Sequence, residues 1–253
     1  MRTVTREQSA QAGEVVSVVV LGAGSGQRVG AGRNKVLLEL SGRPLLAWSV
    51  RTALRVPGIV RIVVVAAPGE EQEVAQALGP ELEAADTLDV EVLLTAGGDT
   101  RHESEWRALQ AIADRLDPQT DDGGDRPHVV AVHDGARPLA TVDLYTAVVG
   151  AAREHGGALP ATPLPGVLRR DLSAAPVGLA GVQTPQAFRA GPLLAAYRAA
   201  AREGEQGTDT ASTFRRHAGL PVVAVASTPG NLKVTWPEDV ALAERLLSRV
   251  TAD

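Results

Sequence analysis

Residues 15–35, VVSVVVLGAGSGQRVGAGRNK, limit the possible folds of this chain more than any other stretch. Val15, Val16, Val18, Val19, Val20 and Leu21 form a nearly continuous β-branched run, the pattern of a parallel strand buried on both faces. In open α/β sheets such a strand ends at the edge where ligands bind. Gly22, Gly24 and Gly26 follow, and without Cβ atoms they let the backbone turn sharply and bring its N–H groups close to phosphate oxygens. Arg28 and Lys35 place positive charge just beyond the turn. The segment reads as a cradle for a nucleoside triphosphate, with cations set to act on its phosphates.

Two commoner glycine-rich patterns fail on spacing. A dinucleotide fingerprint, G-x-G-x-x-G, would require glycine at Gln27 or at Val29, and a P-loop would require Ser or Thr directly after its lysine, where Val36 follows Lys35. For this segment taken alone, a tight strand-to-helix turn with incidental surface cations stays open.

The chain has 253 residues, long enough to bury a proper core as one large α/β domain or as two small ones, and one is the preferred reading. We expect a tail over 1–14 and a single domain over 15–253. The net charge is −5 and there is no basic block, so an extended nucleic-acid surface is not expected and any phosphate site must be local. Cysteine is absent, which removes disulfides, thiolate nucleophiles and cysteine-ligated zinc. The first residues lack an apolar signal core and no stretch reaches membrane-spanning length, so the expectation is a cytoplasmic protein without membrane contact.

Strand-like and helix-like segments alternate as in βαβ units. Strands are predicted over 15–21, 59–66, 88–94, 128–133, 158–163 and 221–226. Pro44 suits the first position of a helix, and further helices are predicted over 70–78, 103–116, 142–155, 192–203, 210–217 and 237–250. The expected result is a mostly parallel sheet covered on both faces. Segment 117–127 reads as a polar connector. Segment 163–183, rich in Pro, Gly and Ala with Arg169 and Arg170 at its centre, shows neither period and reads either as a disordered excursion or as an arm toward another subunit.

Several polar groups fall where such a sheet would present them. Val129 to Val132 lead into His133-Asp134-Gly135-Ala136-Arg137-Pro138, so a carboxylate and a guanidinium emerge at a strand's C-terminal end. Asp134 can hold a hydroxyl or a metal-bound water, and Arg137 can fork onto phosphate, while a loop salt bridge stays open. His133 reads as a packed strand-end residue. Gly97-Gly98-Asp99-Thr100-Arg101 precede Ser104 at a helix start, where backbone amides are available either to a ligand or to capping by Asp99 or Thr100. Gln183-Thr184-Pro185-Gln186 reads as a polar turn that starts the next helix, Asp209 as a helix cap, and Lys233 lies on a short extended stretch before a proline-started helix.

Residues 21–35, GGDTRHES, VHDGARP, QTPQ, TDTAS and NLKVT followed by PEDVALAE stand in one order and together resemble the 2-C-methyl-D-erythritol 4-phosphate cytidylyltransferases, over roughly residues 16–247. Polyol-phosphate cytidylyltransferases such as those using ribitol 5-phosphate share much of the series. The resemblance implies a Rossmann-like nucleotidyltransferase fold of three layers with a protruding arm. It implies a reaction of CTP with a sugar-alcohol phosphate giving a CDP-linked alcohol and pyrophosphate, with Mg2+ as cofactor and a homodimer as the assembly. Ala23, Gly24, Gly26, Gly97, Asp99 and Ser104 would then hold CTP, and Arg28 and Lys35 would neutralise charge on the α-phosphate. Asp134 would bind acceptor hydroxyls and help place the metal, and Arg137, Thr184 and Lys233 would complete the acceptor pocket.

The chain departs from that family in four places. Gly166-Val167 and Pro176 stand where an Asp-Thr pair and an arginine are usual in the arm, both directed at the acceptor bound in the partner subunit. Glu105 replaces an apolar helix residue, and Asn34 a proline. Three readings follow: Arg169 or Arg170 supplies the missing cation, another polyol phosphate is the acceptor, or the chain is a nucleotide-binding paralogue without turnover. Survival of Arg28, Lys35, Asp134 and Lys233 favours catalysis.

Overall fold

A computed structural model of the chain describes residues 15–24, 34–116, 127–164, 167, 169, 176 and 178–250. The expected tail over 1–14, the glycine-rich positions after Gly24, including Gly26 and Arg28, and Gly166 and Arg170 of the arm lie outside the described residues.

The apolar runs become the centre of one sheet. Strands β1 (Val16–Leu21), β4 (Ile59–Ala66), β5 (Glu91–Ala96), β6 (Val129–Asp134), β7 (Gly157–Pro163), β9 (Gln186–Arg189) and β10 (Val222–Ala226) lie in the order β10-β7-β9-β6-β1-β4-β5. β8 (Ala180–Val182) pairs with β7 off this path. β1 is flanked in parallel by β4 and β6, with Val18 opposite Ile62 and Ala131, so both of its edges are paired and its residues up to Val20 are buried. A period of two therefore divides the run between the sheet's faces. Val16, Val18, Val20, Ile62, Val64, Val129 and Ala131 belong to one core, whereas Val19, Val63, Val65, Val130 and Val132 belong to the other. Full burial of a Val or Leu side chain contributes about 1.5–3 kcal/mol, so the two cores account for the central position of these strands. Ser17, the one polar residue of β1, is buried too, and its hydroxyl is paired with His128 Nε2 at 2.9 Å.

Helices cover both faces, as expected. α1 (Leu45–Ala53), α2 (Glu71–Ala77), α3 (Gly79–Thr87) and α5 (Val142–His155) bury Leu46, Val74, Ala85 and Val148 in the first core. On the opposite face α4 (Arg101–Ala113), α6 (Ala190–Glu203) and α7 (Thr210–His217) bury Leu109, Leu193 and Phe214. α8 (Pro237–Val250) closes a third cluster in which Ala243 and Val234 meet Leu40 and Leu45.

Four expectations are corrected. Pro44 is not the first helical residue: Arg43–Pro44 form β3, paired with β2 (Glu39–Leu40). Ser41 and Gly42 both have positive φ, 50° and 74°, which makes a tight two-residue hairpin turn, and the fixed φ of proline suits an extended N-cap as well as a first helical turn. The strand predicted from Leu88 begins at Glu91, because α3 occupies the residues before it and Pro80 opens that helix instead of breaking it. The helix predicted from Glu103 begins at Arg101, capped by the Thr100 hydroxyl. The second Gln of Gln183-Thr184-Pro185-Gln186 opens not a helix but β9, which runs antiparallel between β7 and β6. The ends of segment 163–183 are also ordered into a ladder, with Pro163 opposite Ala180 and Thr162 opposite Gly181.

Candidate active site

Because β1, β4, β5 and β6 are parallel, their C-terminal ends open on one edge. A cleft of about 280 Å³ lies there, lined by Leu21 at the end of β1 with Ala23 and Gly24 beyond it, Gly98 to Thr100 after β5, Arg101 and Ser104 of α4, Asp134 at the end of β6 with Ala136 beyond it, and Lys35, Val36 and Lys233. Lys35, Asp134 and Lys233, far apart in the chain, thus share one cleft.

Two of the cleft's loops approach closely. A Cβ on Gly97 would stand 2.6 Å from the Ala23 methyl and 2.9 Å from Ser104 Oγ, so only glycine fits there. Ser104 Oγ accepts the Gly98 N–H at 3.0 Å and donates to the Thr100 carbonyl at 2.9 Å, while Glu103 accepts the Asp99 N–H at 3.0 Å. Arg107 donates to the Gly97 carbonyl at 2.7 Å. The loop is therefore clasped by the first two turns of α4, and the Asp99 side chain is exposed at its tip.

Lys35 begins a single 3₁₀ turn, Lys35–Leu37, whose N-cap is Asn34. The Asn34 amide donates to the Gly22 carbonyl and to Glu70, each at 2.7 Å, and its oxygen accepts the Val36 N–H at 3.2 Å. Asn34 thereby fastens the lysine-bearing turn to the end of β1, a role that a proline at this position could not fill by side-chain hydrogen bonding.

Asp134 is the electrostatic centre. One carboxylate oxygen accepts from Arg101, the other from Lys233 at 2.8 Å, and Arg137 Nε lies 3.7 Å away, beyond hydrogen-bond reach. Burial by itself would push the Asp134 carboxyl up; Arg101 and Lys233 outweigh it and hold the group well below the usual carboxylate range. Arg137 and Thr184 do not line the cleft but brace it. Arg137 donates to the Asn231 carbonyl at 2.7 Å, and its buried Nε has no hydrogen-bond partner among the described residues. The Thr184 hydroxyl accepts the Asp134 N–H at 3.0 Å and lies 3.2 Å from His133 Nδ1. His133 Nε2 lies 3.1 Å from the Arg137 carbonyl, which can only accept, so Nε2 carries the proton and Nδ1 accepts from Thr184. His133 is fully buried, and that burial lowers its imidazole to about 4, in keeping with a packed strand-end residue. Asp209 caps α7 with its carboxylate on the Ser212 N–H at 2.9 Å and also accepts from Gln186 at 3.1 Å. Val167, Arg169 and Pro176 are exposed and do not line the cleft.

Arg101 was not predicted as a site residue. Its Nε donates to Glu105 at 2.8 Å, and Glu105 is almost wholly buried, accepting also from Tyr197 and, at 2.9 Å, from Thr210. The available signal was the i,i+4 charge pair with an acid on an apolar helix face, where Ala108, Leu109 and Ile112 are buried beside it. Among the described residues, the one group of three metal-capable side chains is Glu203, Glu205 and His217, and none of them lines this cleft.

The arrangement can bind polyanions, neutralise charge developing on a phosphate, and hold hydroxyl groups on an ionised carboxylate. The family model of 2-C-methyl-D-erythritol 4-phosphate cytidylyltransferase matches residues 16–249. A relative of that name from Symbiobacterium thermophilum is 36% identical over 242 residues, covering 92% of this chain and 92% of the relative, and one from Geobacillus kaustophilus is 34% identical, covering 93% and 98%. The crystal structure of 2-C-methyl-D-erythritol 4-phosphate cytidylyltransferase from Thermus thermophilus superimposes with a TM-score of 0.69 at 28% identity, covering 92% of this chain and 98% of that one. With its nucleotidyltransferase fold, its cation-rich cleft and a match that runs from β1 into α8, the chain belongs to the 2-C-methyl-D-erythritol 4-phosphate cytidylyltransferase family.

Proposed function

We propose that this chain transfers the cytidylyl group of CTP to 2-C-methyl-D-erythritol 4-phosphate, giving 4-diphosphocytidyl-2-C-methyl-D-erythritol and pyrophosphate, a step toward isoprenoid precursors on the non-mevalonate route. The convergence of Lys35, Arg101 and Lys233 with Asp134 in one cleft carries this reading. An acceptor phosphate oxygen attacks the α-phosphorus in line, the bond from that phosphorus to the β-phosphate bridging oxygen breaks, and pyrophosphate leaves with the electron pair. The nucleophile is already anionic, so positioning and charge stabilisation replace a general base. Lys35, with Arg28 from outside the described residues, neutralises the α-phosphate. Ala23, Gly24, Gly97, Asp99 and Ser104, with Gly26 from outside the described residues, hold the nucleotide. Asp134 and Lys233 receive the acceptor, with Arg137 and Thr184 bracing Asp134.

Mg2+ is part of the same proposal. It takes one or two carboxylates together with substrate phosphates rather than an all-protein cage. The cleft offers that donor set in Asp134, kept ionised by its neighbours, and in Asp99 at the rim. When bound, the ion would supply charge neutralisation on the triphosphate.

A homodimer, a single domain over 15–253 and a cytoplasmic location complete the proposal. In support of the dimer, Leu164, Val167, Leu179 and Val182 of the arm are exposed apolar side chains; a monomer by sedimentation at micromolar concentration would remove it. Among the described residues no helix is long and apolar enough to cross a membrane.

One observation favours a second acceptor: Val167 and Pro176 offer neither hydroxyl nor charge, so a different polyol phosphate is the alternative substrate. Pyrophosphate release from CTP with methylerythritol, ribitol and glycerol phosphates in parallel separates the readings. Turnover highest with methylerythritol phosphate is expected, turnover highest with ribitol phosphate selects the alternative, and no turnover with any acceptor leaves a nucleotide-binding paralogue.

A further inference from the structure

We infer that Glu105 is a positioning residue for this reaction, holding the Arg101 guanidinium so that its outer nitrogen faces Asp134 across the cleft. The inference rests on the cytidylyltransferase reading and adds to it a residue that touches no substrate.

Arg101 is the first residue of α4 and Glu105 lies one turn further on. A guanidinium is planar and rigid, so fixing the direction of Nε fixes that of both terminal nitrogens. Nε points inward to Glu105 at 2.8 Å, and Nη1 consequently points outward to the carboxylate that the acceptor would meet. Glu105 is itself immobilised from two other helices. The Tyr197 hydroxyl of α6 donates to one of its oxygens, and Thr210 of α7 donates to the other at 2.9 Å. Tyr197 is in turn stacked on His102, with ring centroids 4.7 Å apart and planes 8° from parallel. Both Glu105 oxygens are thus occupied, and the side chain cannot turn without stranding a donor.

A carboxylate that served packing alone would need no cation, since a neutral amide can pair with both hydroxyls, accepting from one and donating to the other. Glu105 instead shares Arg101 with Asp134, which ties the buried junction of α4, α6 and α7 to the charge state of the cleft. Burial raises the Glu105 carboxyl, and Arg101 is the nearest positive charge opposing that rise. The two carboxylates therefore compete for and orient a single guanidinium.

The test uses the intact protein and steady-state pyrophosphate release from CTP and methylerythritol phosphate. Glu105→Gln preserves volume and the Tyr197 and Thr210 partners but removes the charge that holds Arg101. We expect kcat to fall about 10- to 100-fold, the loss associated with an ångström-scale misplacement of a catalytic contact, with KM for CTP little changed. In an Arg101→Met background, Glu105→Gln should cause no further loss, because its whole effect runs through Arg101. Wild-type kcat in Glu105→Gln, or a full additional loss on Arg101→Met, would overturn the inference. Should Glu105→Gln not fold, Arg101→Lys decides: it keeps the charge but lacks the fork, so the same kcat loss is expected and wild-type kcat would refute. Failure of the cytidylyltransferase reading shows separately, as absence of turnover in the unaltered protein.

Discussion

Replacing Gly97 by alanine asks whether nucleotide binding depends on the close approach of two loops. The Gly97 N–H donates to the Ala66 carbonyl at 2.7 Å and its own carbonyl accepts from Arg107 at 2.7 Å, so its backbone is held on both sides and cannot step back. The new Cβ would begin 2.6 Å from the Ala23 Cβ and 2.9 Å from Ser104 Oγ. A methyl on Ala23 moves only with its backbone, so the turn after β1 must retreat from 2.6 Å to the 3.4 Å at which ordinary contact starts, roughly 0.8 Å. A displacement on that scale at a substrate-positioning loop costs on the order of 100-fold in rate. Overpacking of this kind also costs about 1–3 kcal/mol of stability. The assay is kcat/KM for CTP by pyrophosphate release, run beside a thermal melt that confirms folding. Gly98→Ala is the matched control: its Cβ would strike the Glu103 side chain, with the carboxyl carbon 2.2 Å away, and that flexible end can swing aside. Its loss should be much the smaller. A Gly97→Ala enzyme with unchanged kcat/KM for CTP, or a larger loss in Gly98→Ala, would refute the reasoning.

Two further outcomes are expected. Lys35→Ala should lose on the order of 100-fold or more in pyrophosphate release while CTP binding stays measurable by calorimetry; unchanged turnover would remove Lys35 from the reaction. The protein should lose stability as pH falls from about 6.5 toward 4. Burial holds His128 and His133 each near 4, so across this range the unfolded chain binds protons that the folded chain refuses, and the stability fully present above the unfolded pKa declines. Each imidazole contributes on the order of 3 kcal/mol to that decline. Denaturant melts between pH 4 and 7 should show it, and His128→Gln should flatten the acid limb; an unaltered slope in that variant would assign the loss to other groups.

Legibility followed the range of the forces involved. β4, α5, α7 and α8 were read to the residue, and β1 and β6 to within one, because a long apolar period or a Thr or Asp cap acts within a few residues. β9 was missed because Gln186-Ala187-Phe188-Arg189 is too short to show a period, and it becomes a strand only by pairing with β6 and β7. α3 was missed because Gly79-Pro80 looks like a break, although proline is tolerated in a first helical turn. In the cleft, the motifs named Lys35, Asp134 and Lys233 but not their mutual arrangement.

The chain by itself determined which chemistry was present: a buried parallel core, a glycine-rich turn, and a set of cations and carboxylates at strand ends, each a property of neighbouring residues. Tertiary structure alone decided who faces whom. Asp134 meets Arg101 across 33 residues of chain and Lys233 across 99, and Glu105 meets Thr210 across 105. Local propensity weakens within a few residues, whereas the strength of a buried ion pair depends on distance in space and on exclusion of water, and both are set only when the sheet and its helices have closed.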